Sequence, residues 1–469
     1  MNRSVNNMTQ KEALDLLMMG RSVFLTGQAG SGKTYLLTKY IEFLKNHKIG
    51  VAVTASTGIA ATHLNGITIH SWAGIGIKDS LDQKHLSRLL ANENVRNRIN
   101  NAKVLIIDEI SMFHSYRLDM VNQVCKTLRR NNTPFGGLQV ILCGDFFQLP
   151  PVTDPGQLQS CFAFKSDAWG ELDLKICYLD EQHRQLDDSF LKVLNSIRTS
   201  DVNEFTFEKL AGRLNKNFPV GIIPSKLYTH NVDVDAINNF ELAKITKPEH
   251  KFMMTDMGNP DLVETLKKGC LAPEELIVKE GAVVMFVKNN QNKGYVNGTL
   301  GKITGFDPDG YPIIKTYSDK EIVATPVSWT IEDDEEVIAE ISQVPLRLAW
   351  AITIHKSQGM TLDAAEIDLS KSFAYGMGYV ALSRVKSLDG IRLMGINQNA
   401  LLVDEEITKI DGEFRKLSAK IGEGLKNLDS KTVKAKQKEF LTSILPKTPN
   451  PHESKDIVKE LFEKYFSSH

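Results

Sequence analysis

Gly27 to Thr34 reads GQAGSGKT, a match without deviation to G-x-x-x-x-G-K-[ST]. The apolar run Ser22 to Thr26 stands before it, and Leu37, Ile41 and Leu44 recur after it at helical spacing. Strand, glycine-rich loop and helix in that order leave the chain few options. The loop turns its backbone N–H groups inward, and the helix N-terminus adds partial positive charge. The residues of this cradle are Gly27, Ala29, Gly30, Ser31, Gly32, Lys33 and Thr34. In such a loop the lysine, Lys33, reaches the β- and γ-phosphates and the hydroxyl of Thr34 binds Mg2+, so ATP and Mg2+ are the expected cofactors.

A chain of 469 residues is too long for one core, and roughly two to four domains are expected. Hydrophobic residues make up 42% and charged residues 24%, an ordinary balance for a globular protein. The first residues lack a signal-peptide core, and no apolar run approaches the roughly 18 residues of a membrane span. An intracellular protein with no membrane partner is expected, cytoplasmic if bacterial and nuclear or mitochondrial if eukaryotic. A net charge of −1 neither supports nor excludes a nucleic-acid partner, because basic residues can line one channel and be offset elsewhere. Cys125, Cys143, Cys161, Cys177 and Cys270 form no C-x-x-C pair, which reads as core thiols in a reducing compartment.

Thr9 to Met18 reads as a short helix, with Thr9 and Glu12 at capping-box spacing. Gln10 stands where a helix start can face an adenine edge, although an exposed glutamine is the default. The apolar runs Val51 to Thr54, Val104 to Ile107 and Val140 to Cys143 alternate with helical patterns, which predicts βαβ units around a parallel sheet. Ligands of such sheets bind at the carboxyl ends of the strands, where Asp108, Glu109 and Asp145 fall. The polar stretch Asp79 to Asn101 interrupts this rhythm as a small insertion. A second α/β unit follows, with strand candidates Lys226 to Thr229, Ala282 to Val287, Glu366 to Leu369 and Ile391 to Leu393. Lys288 to Glu340, broken by Gly294, Gly298, Gly301, Gly305 and Gly310, reads as a β-barrel inserted in that unit. After Asp404 the chain is helical and lysine-rich, either a solvated face or a nucleic-acid contact, and a final amphipathic helix follows Pro446, Pro449 and Pro451.

Asp108 and Glu109 supply the second carboxylate site of a phosphate-loop ATPase: Asp108 for Mg2+, Glu109 as general base. Gln148 is placed to touch the γ-phosphate or the attacking water. Phosphoryl transfer also needs positive charge opposite the γ-phosphate, for which Arg184 and Arg384 are candidates.

Taken together, GQAGSGKT (27–34), VTASTGIAA (53–61), TIHSW (68–72), LIIDEISM (105–112), CGDFFQLPPV (143–152), LDEQHRQ (179–185), DDSFLKVLNSIR (187–198), AWAITIHKSQGMTL (349–362) and YVALSRV (379–385) resemble superfamily 1 helicases of the PIF family. The resemblance implies an ATP-dependent 5′-to-3′ DNA helicase that acts on single-stranded and forked or tailed duplex DNA, with quadruplexes and RNA–DNA hybrids as further substrates. It implies an α/β fold of two RecA-like phosphate-loop domains with parallel sheets, 1–78 with 102–186 and 187–287 with 341–404. A wedge insertion at 79–101, an SH3-like β-barrel at 288–340 and a C-terminal extension at 405–469 complete the expected organisation, in a chain expected to be monomeric without DNA. By the same resemblance Gln10 reads adenine, Gln148 senses the γ-phosphate, and Arg184 and Arg384 contact it. Thr54, Thr57, His70, Ser71, His355 and Lys356 lie in motifs that line the DNA groove, and Gln358 and Gly359 in the motif joining that groove to the ATP site. Trp72 and Phe113 are candidates for base stacking or for the core.

Other phosphate-loop functions fit less well. A GTPase-like switch would show N-K-x-D after a strand, whereas Asn292-Lys293-Gly294 lacks the aspartate and sits in the β-insertion. No LSGGQ-like stretch suggests a transporter ATPase, and the arginines of a second RecA-like half argue against a small-molecule kinase.

Overall fold

The structure, a computed structural model, describes residues 8–76, 79–151, 162–181, 187–218, 224–229, 234–290, 292–295, 297–316, 319–333 and 336–445. Arg184, Cys161 and the helix expected after Pro446 lie outside these residues.

Six strands build the first sheet: β1 (Val23–Gly27), β2 (Val51–Ala55), β3 (Ile67–Thr68), β4 (Val104–Asp108), β5 (Gln139–Cys143) and β6 (Lys175–Leu179). Their order is β3-β2-β4-β5-β1-β6, and every pairing is parallel. A parallel sheet needs crossovers on its faces, so its strands are apolar on both sides. Val23, Leu25, Val104, Ile106, Ile141 and Cys143 therefore face one core with Leu36, Leu37, Tyr40 and Leu44 of helix Lys33–Asn46. Phe24, Leu105, Ile107, Val140 and Leu142 face the other, with Leu118, Val121 and Val124 of helix Ser115–Arg129. The Asp79 to Asn101 stretch forms helices Gln83–Ala91 and Glu93–Asn101, held on the first sheet's flank by Leu86, Leu89, Val95 and Ile99.

The remaining strands are β7 (Ser225–Tyr228), β8 (Glu249–Met253), β9 (Thr255–Gly258), β10 (Glu275–Lys279), β11 (Val283–Phe286), β12 (Leu300–Phe306), β13 (Pro312–Thr316), β14 (Glu321–Val323), β15 (Val327–Asp333), β16 (Glu336–Gln343), β17 (Leu346–Leu348), β18 (Ala351–Thr353), β19 (Ala365–Leu369) and β20 (Ile391–Ile396). A second parallel sheet has the order β18-β7-β19-β20. Strands β14-β13-β12-β11-β17 form an antiparallel sheet over its own core of Val284, Phe286, Ile303 and Ile314. Strands β15, β16 and β9 form a three-stranded sheet, and β8 pairs with β10.

The expected strand Ala282 to Val287 is therefore real but belongs to the antiparallel sheet, paired with β12 and β17, rather than to the parallel one. A continuous apolar run marks burial on both faces. A central antiparallel strand covered on both sides has the same signature, and only pairing separates the two.

Helix Glu405–Lys426 returns to the first sheet, where Phe414 packs among Phe24, Phe146, Phe164 and Trp169. Helix Ser430–Ile444 follows and seats Leu441 and Ile444 with Leu16 and Leu17 of helix Gln10–Met18. Among the described residues no helix is long and apolar enough to cross a membrane.

Candidate active site

The phosphate loop leaves β1 beside β5 and β6 and enters helix Lys33–Asn46 through Gly32, whose φ of 84° only glycine adopts without strain. Gly27 is required for a second reason: a Cβ there would lie 2.2 Å from the carbonyl oxygen of Leu179. The hydroxyl of Ser31 is buried without a hydrogen-bond partner among the described residues, and Thr34 is exposed at the helix start. Lys33 Nζ donates to the carbonyls of Gly27 at 2.8 Å and Gln28 at 3.0 Å. Burial lowers its pKa, opposed by Asp145, Cys143 and Glu109. A glycine-rich loop at a helix N-terminus, one buried hydroxyl unpaired among the described residues and a lysine near carboxylates suit a nucleotide phosphate chain with its divalent cation. Gln10 opens its helix two residues after Met8, whose backbone pairs with Leu179, so it lies at the same end of the sheet as the loop.

Asp108 ends β4, and burial raises its pKa. Glu109 adopts φ 52° and ψ 45°, a left-handed conformation costly for a residue with a side chain and typical of functional sites. Burial, reinforced by Asp108, pushes its carboxyl up to about 7. Gln358 reaches it from the second parallel sheet, its Nε2 donating to Glu109 Oε2 at 3.0 Å and to Gln148 Oε1 at 3.4 Å. Arg384 is buried, donates to the carbonyl of Val380 at 3.0 Å, and faces Glu109; burial lowers its pKa and Glu109 opposes that. The helix before it, Met377–Ser383, begins at Gly376, where a Cβ would lie 2.5 Å from the carbonyl oxygen of Phe147. Glycine thus lets the second half press onto the Phe147–Gln148 backbone.

Tyr379, Asn195 and Arg198 were not among the expected site residues, and Asp145 was expected only as a carboxylate at a strand end. The hydroxyl of Tyr379 accepts from the backbone N–H of Ala29 at 3.2 Å, and Gln28 donates to Asn195 at 2.5 Å. Arg198 donates to both oxygens of Asp145, at 2.8 and 2.7 Å. Burial alone would raise the Asp145 carboxyl, but Arg198 and Lys33 outweigh it and hold it below its ordinary value. Asn195 and Arg198 lie inside DDSFLKVLNSIR, where helical spacing puts them on the same face three residues apart; that was the available signal.

The residues expected along the groove divide. Thr57 accepts from the N–H of Ala60 at 3.3 Å at the start of helix Gly58–His63. His70 and Ser71 are half-buried. A ring nitrogen of His70 meets Arg117 Nη1 at 3.0 Å, and burial holds that histidine down near 4. His355 and Lys356 are half-buried on the turn after β18. Gly359, at φ 78°, abuts the ring of His63 rather than the phosphate loop. Thr54 corrects the expectation, and Trp72 and Phe113 take the core alternative. Thr54 is fully buried, its hydroxyl donating to the carbonyl of Ile106 at 2.6 Å. Trp72 and Phe113 are 4% and 1% exposed and belong to the core. An aromatic beside a polar motif reads the same whichever way its side chain turns, and helix packing turned these inward.

A phosphate loop and its carboxylates on one parallel sheet, answered across a cleft by glutamine and arginine from a second, define a phosphate-loop protein of paired RecA-like halves. The profile of the PIF1-like helicases matches residues 6–209, and that of the "DNA helicase Pif1, 2B domain" matches residues 261–306. The ATP-dependent DNA helicase Pif1 of Psychrobacter sp. (strain PRwf-1) is 43% identical, over 92% of this chain and 75% of that protein. The human ATP-dependent DNA helicase PIF1 is 37% identical over 87% of this chain, which spans 63% of that longer protein. Unliganded Pif1 from Bacteroides sp is similar in structure with a TM-score of 0.74 at 30% identity, covering 88% and 97% of the two chains. The same helicase in complex with ADP-AlF3 and ssDNA gives 0.60 at 30% identity, covering 87% and 98%. This chain belongs to the PIF1-like helicase family.

Proposed function

We propose that this chain is an ATP-dependent DNA helicase that moves 5′ to 3′ along single-stranded DNA and unwinds forked or tailed duplexes, with quadruplexes and RNA–DNA hybrids as further substrates. The observation that carries this reading is the Gln358 bridge, in which one side chain of the second half bonds both Glu109 and Gln148 of the first. Such a bridge makes the state of the ATP site depend on the distance between the halves, as a motor requires.

In this reading Glu109 takes the proton of the attacking water, and its raised pKa suits a base working near neutral pH. Lys33 and Arg384, with Arg184, supply positive charge where negative charge develops on the phosphates. Thr34 and Asp108 would hold Mg2+, which neutralises phosphate oxygens when bound. Gln10 reads the adenine. Thr57, His70, Ser71, His355 and Lys356 follow the DNA backbone, a contact set without base readout that suits translocation. The protein acts in the cytoplasm and is monomeric without DNA.

The test is ATP turnover with and without single-stranded DNA, paired with unwinding of duplexes tailed at either end. Turnover should rise sharply with DNA, a 5′ tail should support unwinding where a 3′ tail does not, and Lys33→Ala should lose both. Turnover indifferent to DNA would sink the motor reading.

A further inference from the structure

Helix Glu405–Lys426 carries none of the motifs of the ATP site, yet one of its faces joins that site through buried charge. Tyr178 closes β6 and donates its hydroxyl to Asp411 Oδ1 at 2.8 Å. The same hydroxyl accepts from Arg198 Nη2 at 2.8 Å and from Arg415 Nη2 at 2.6 Å. Arg415 Nε donates to Asp411 Oδ2 at 2.8 Å, and Arg198 Nη2 lies 3.5 Å from Asp411 Oδ1. The other arm of Arg198 grips Asp145 with both oxygens engaged, and its guanidinium lies 4.1 Å over the ring of Phe147. Asp145 accepts from the N–H of Phe147 at 3.2 Å and from Gln148 Nε2 at 3.4 Å. Gln148 in turn meets the Gln358 that holds Glu109.

Charges alternate along this line: Arg415, Asp411, Arg198, Asp145. Arg198 is 1% exposed and Asp145 also 1% exposed, so neither can exchange its partner for water. A guanidinium fork is fixed only when both arms are held. Asp145 holds one arm of Arg198, and Tyr178 with Asp411 holds the other. Removing Asp411 leaves the outer arm on Tyr178 alone and takes away the acceptor that orients the Tyr178 hydroxyl, so the guanidinium that anchors the loop from Asp145 to Gln148 is held less firmly.

We propose that helix Glu405–Lys426 is a working part of the ATPase centre: Asp411 fixes Arg198, and Arg198 acts as a positioning residue that sets Asp145 and Gln148 against the γ-phosphate and the attacking water. This rests on reading the site as an ATPase. It gives the C-terminal extension a role neither expectation for its lysines covered. Those lysines, Lys409, Lys416 and Lys420, lie on the exposed side of the same helix.

Steady-state ATP turnover of the full chain with saturating single-stranded DNA tests the proposal. Asp411→Ala should lower kcat about tenfold, the scale of a small misplacement of a catalytic group, with KM for ATP within about twofold of wild type. Asp411→Glu should recover most of the loss, and Arg198→Ala should fall at least as far as Asp411→Ala. The double variant should be no slower than Arg198→Ala alone, because both act through one link. A kcat for Asp411→Ala within about twofold of wild type, or losses that multiply in the double variant, overturns the proposal. Should Asp411→Ala lack a cooperative thermal transition, Arg415→Ala replaces it: a lower kcat at unchanged KM supports the link, and an unchanged kcat refutes it. Wild type and Lys33→Ala in the same assay isolate the underlying reading. No turnover by wild type sinks the ATPase assignment, whereas equal turnover by wild type and Asp411→Ala sinks only the role of the helix.

Discussion

Glu109 combines a left-handed backbone, a buried carboxyl pushed up to about 7 and a hydrogen bond from the opposite half of the molecule. The backbone and the burial cost stability, and with the bond from across the cleft they mark the group whose loss should be read in rate rather than in binding. Glu109→Gln should keep nucleotide affinity and lower turnover by about 10²- to 10³-fold, as measured by nucleotide titration beside single-turnover hydrolysis. Trp72 makes the opposite case. With its ring in the core, Trp72→Ala should destabilise the fold by about 3 kcal/mol in urea titrations and leave the DNA affinity of the folded protein unchanged. Lys33, Asp108 and Glu109 were legible because a fixed spacing follows an apolar run. The inward turn of Trp72, Phe113 and Thr54 was not, because it depends on which neighbours cover them.

At the scale of elements, helix Glu405–Lys426 joins the first sheet through aromatic packing as much as through charge. Phe414 lies 5.1 Å from Phe24 and 6.3 Å from Phe146, ring centre to ring centre. Phe414→Ala should cost about 3 kcal/mol, seen as a lower urea midpoint, and should make the extension more open to proteolysis than the sheet it covers. The helix itself was legible from the sequence. Its partner was not, since a stripe containing Ile407, Phe414 and Ser418 specifies an apolar surface without naming which one. Strand β11 shows the same limit: its residues specify burial, and its register with β12 and β17 specifies the sheet.

For the whole molecule, the second half meets the first sheet's flank closely through helix Pro260–Gly269. A Cβ on Gly58 would lie 2.7 Å from the Cα of Gly269, so helices Gly58–His63 and Pro260–Gly269 meet backbone to backbone. Asn297 Nδ2 lies 2.6 Å from His63 Nε2 beside that contact. Burial holds His63 down near 4, below the ordinary histidine value, so the folded chain binds fewer protons than the unfolded one between these limits. Stability from this contact is full above about pH 6.5 and is lost as pH falls toward 4, on the order of 3 kcal/mol. His63→Gln should flatten that part of the stability–pH curve, measured by thermal melting across the range. Gly58→Ala should part the two helices and raise amide exchange along Gly58–His63.

Local spacing alone determined the phosphate loop, the carboxylates at the strand ends and the alternation of strand and helix, because each is set within a few residues of chain. Tertiary structure decided which aromatics face inward, which sheet β11 joins and what the C-terminal helix covers. It also decided that Asp411, Arg198 and Asp145 form one line into the site. Those outcomes depend on contacts between residues far apart in the chain, over 200 positions in the case of Arg198 and Asp411, and no pattern confined to one segment carries them.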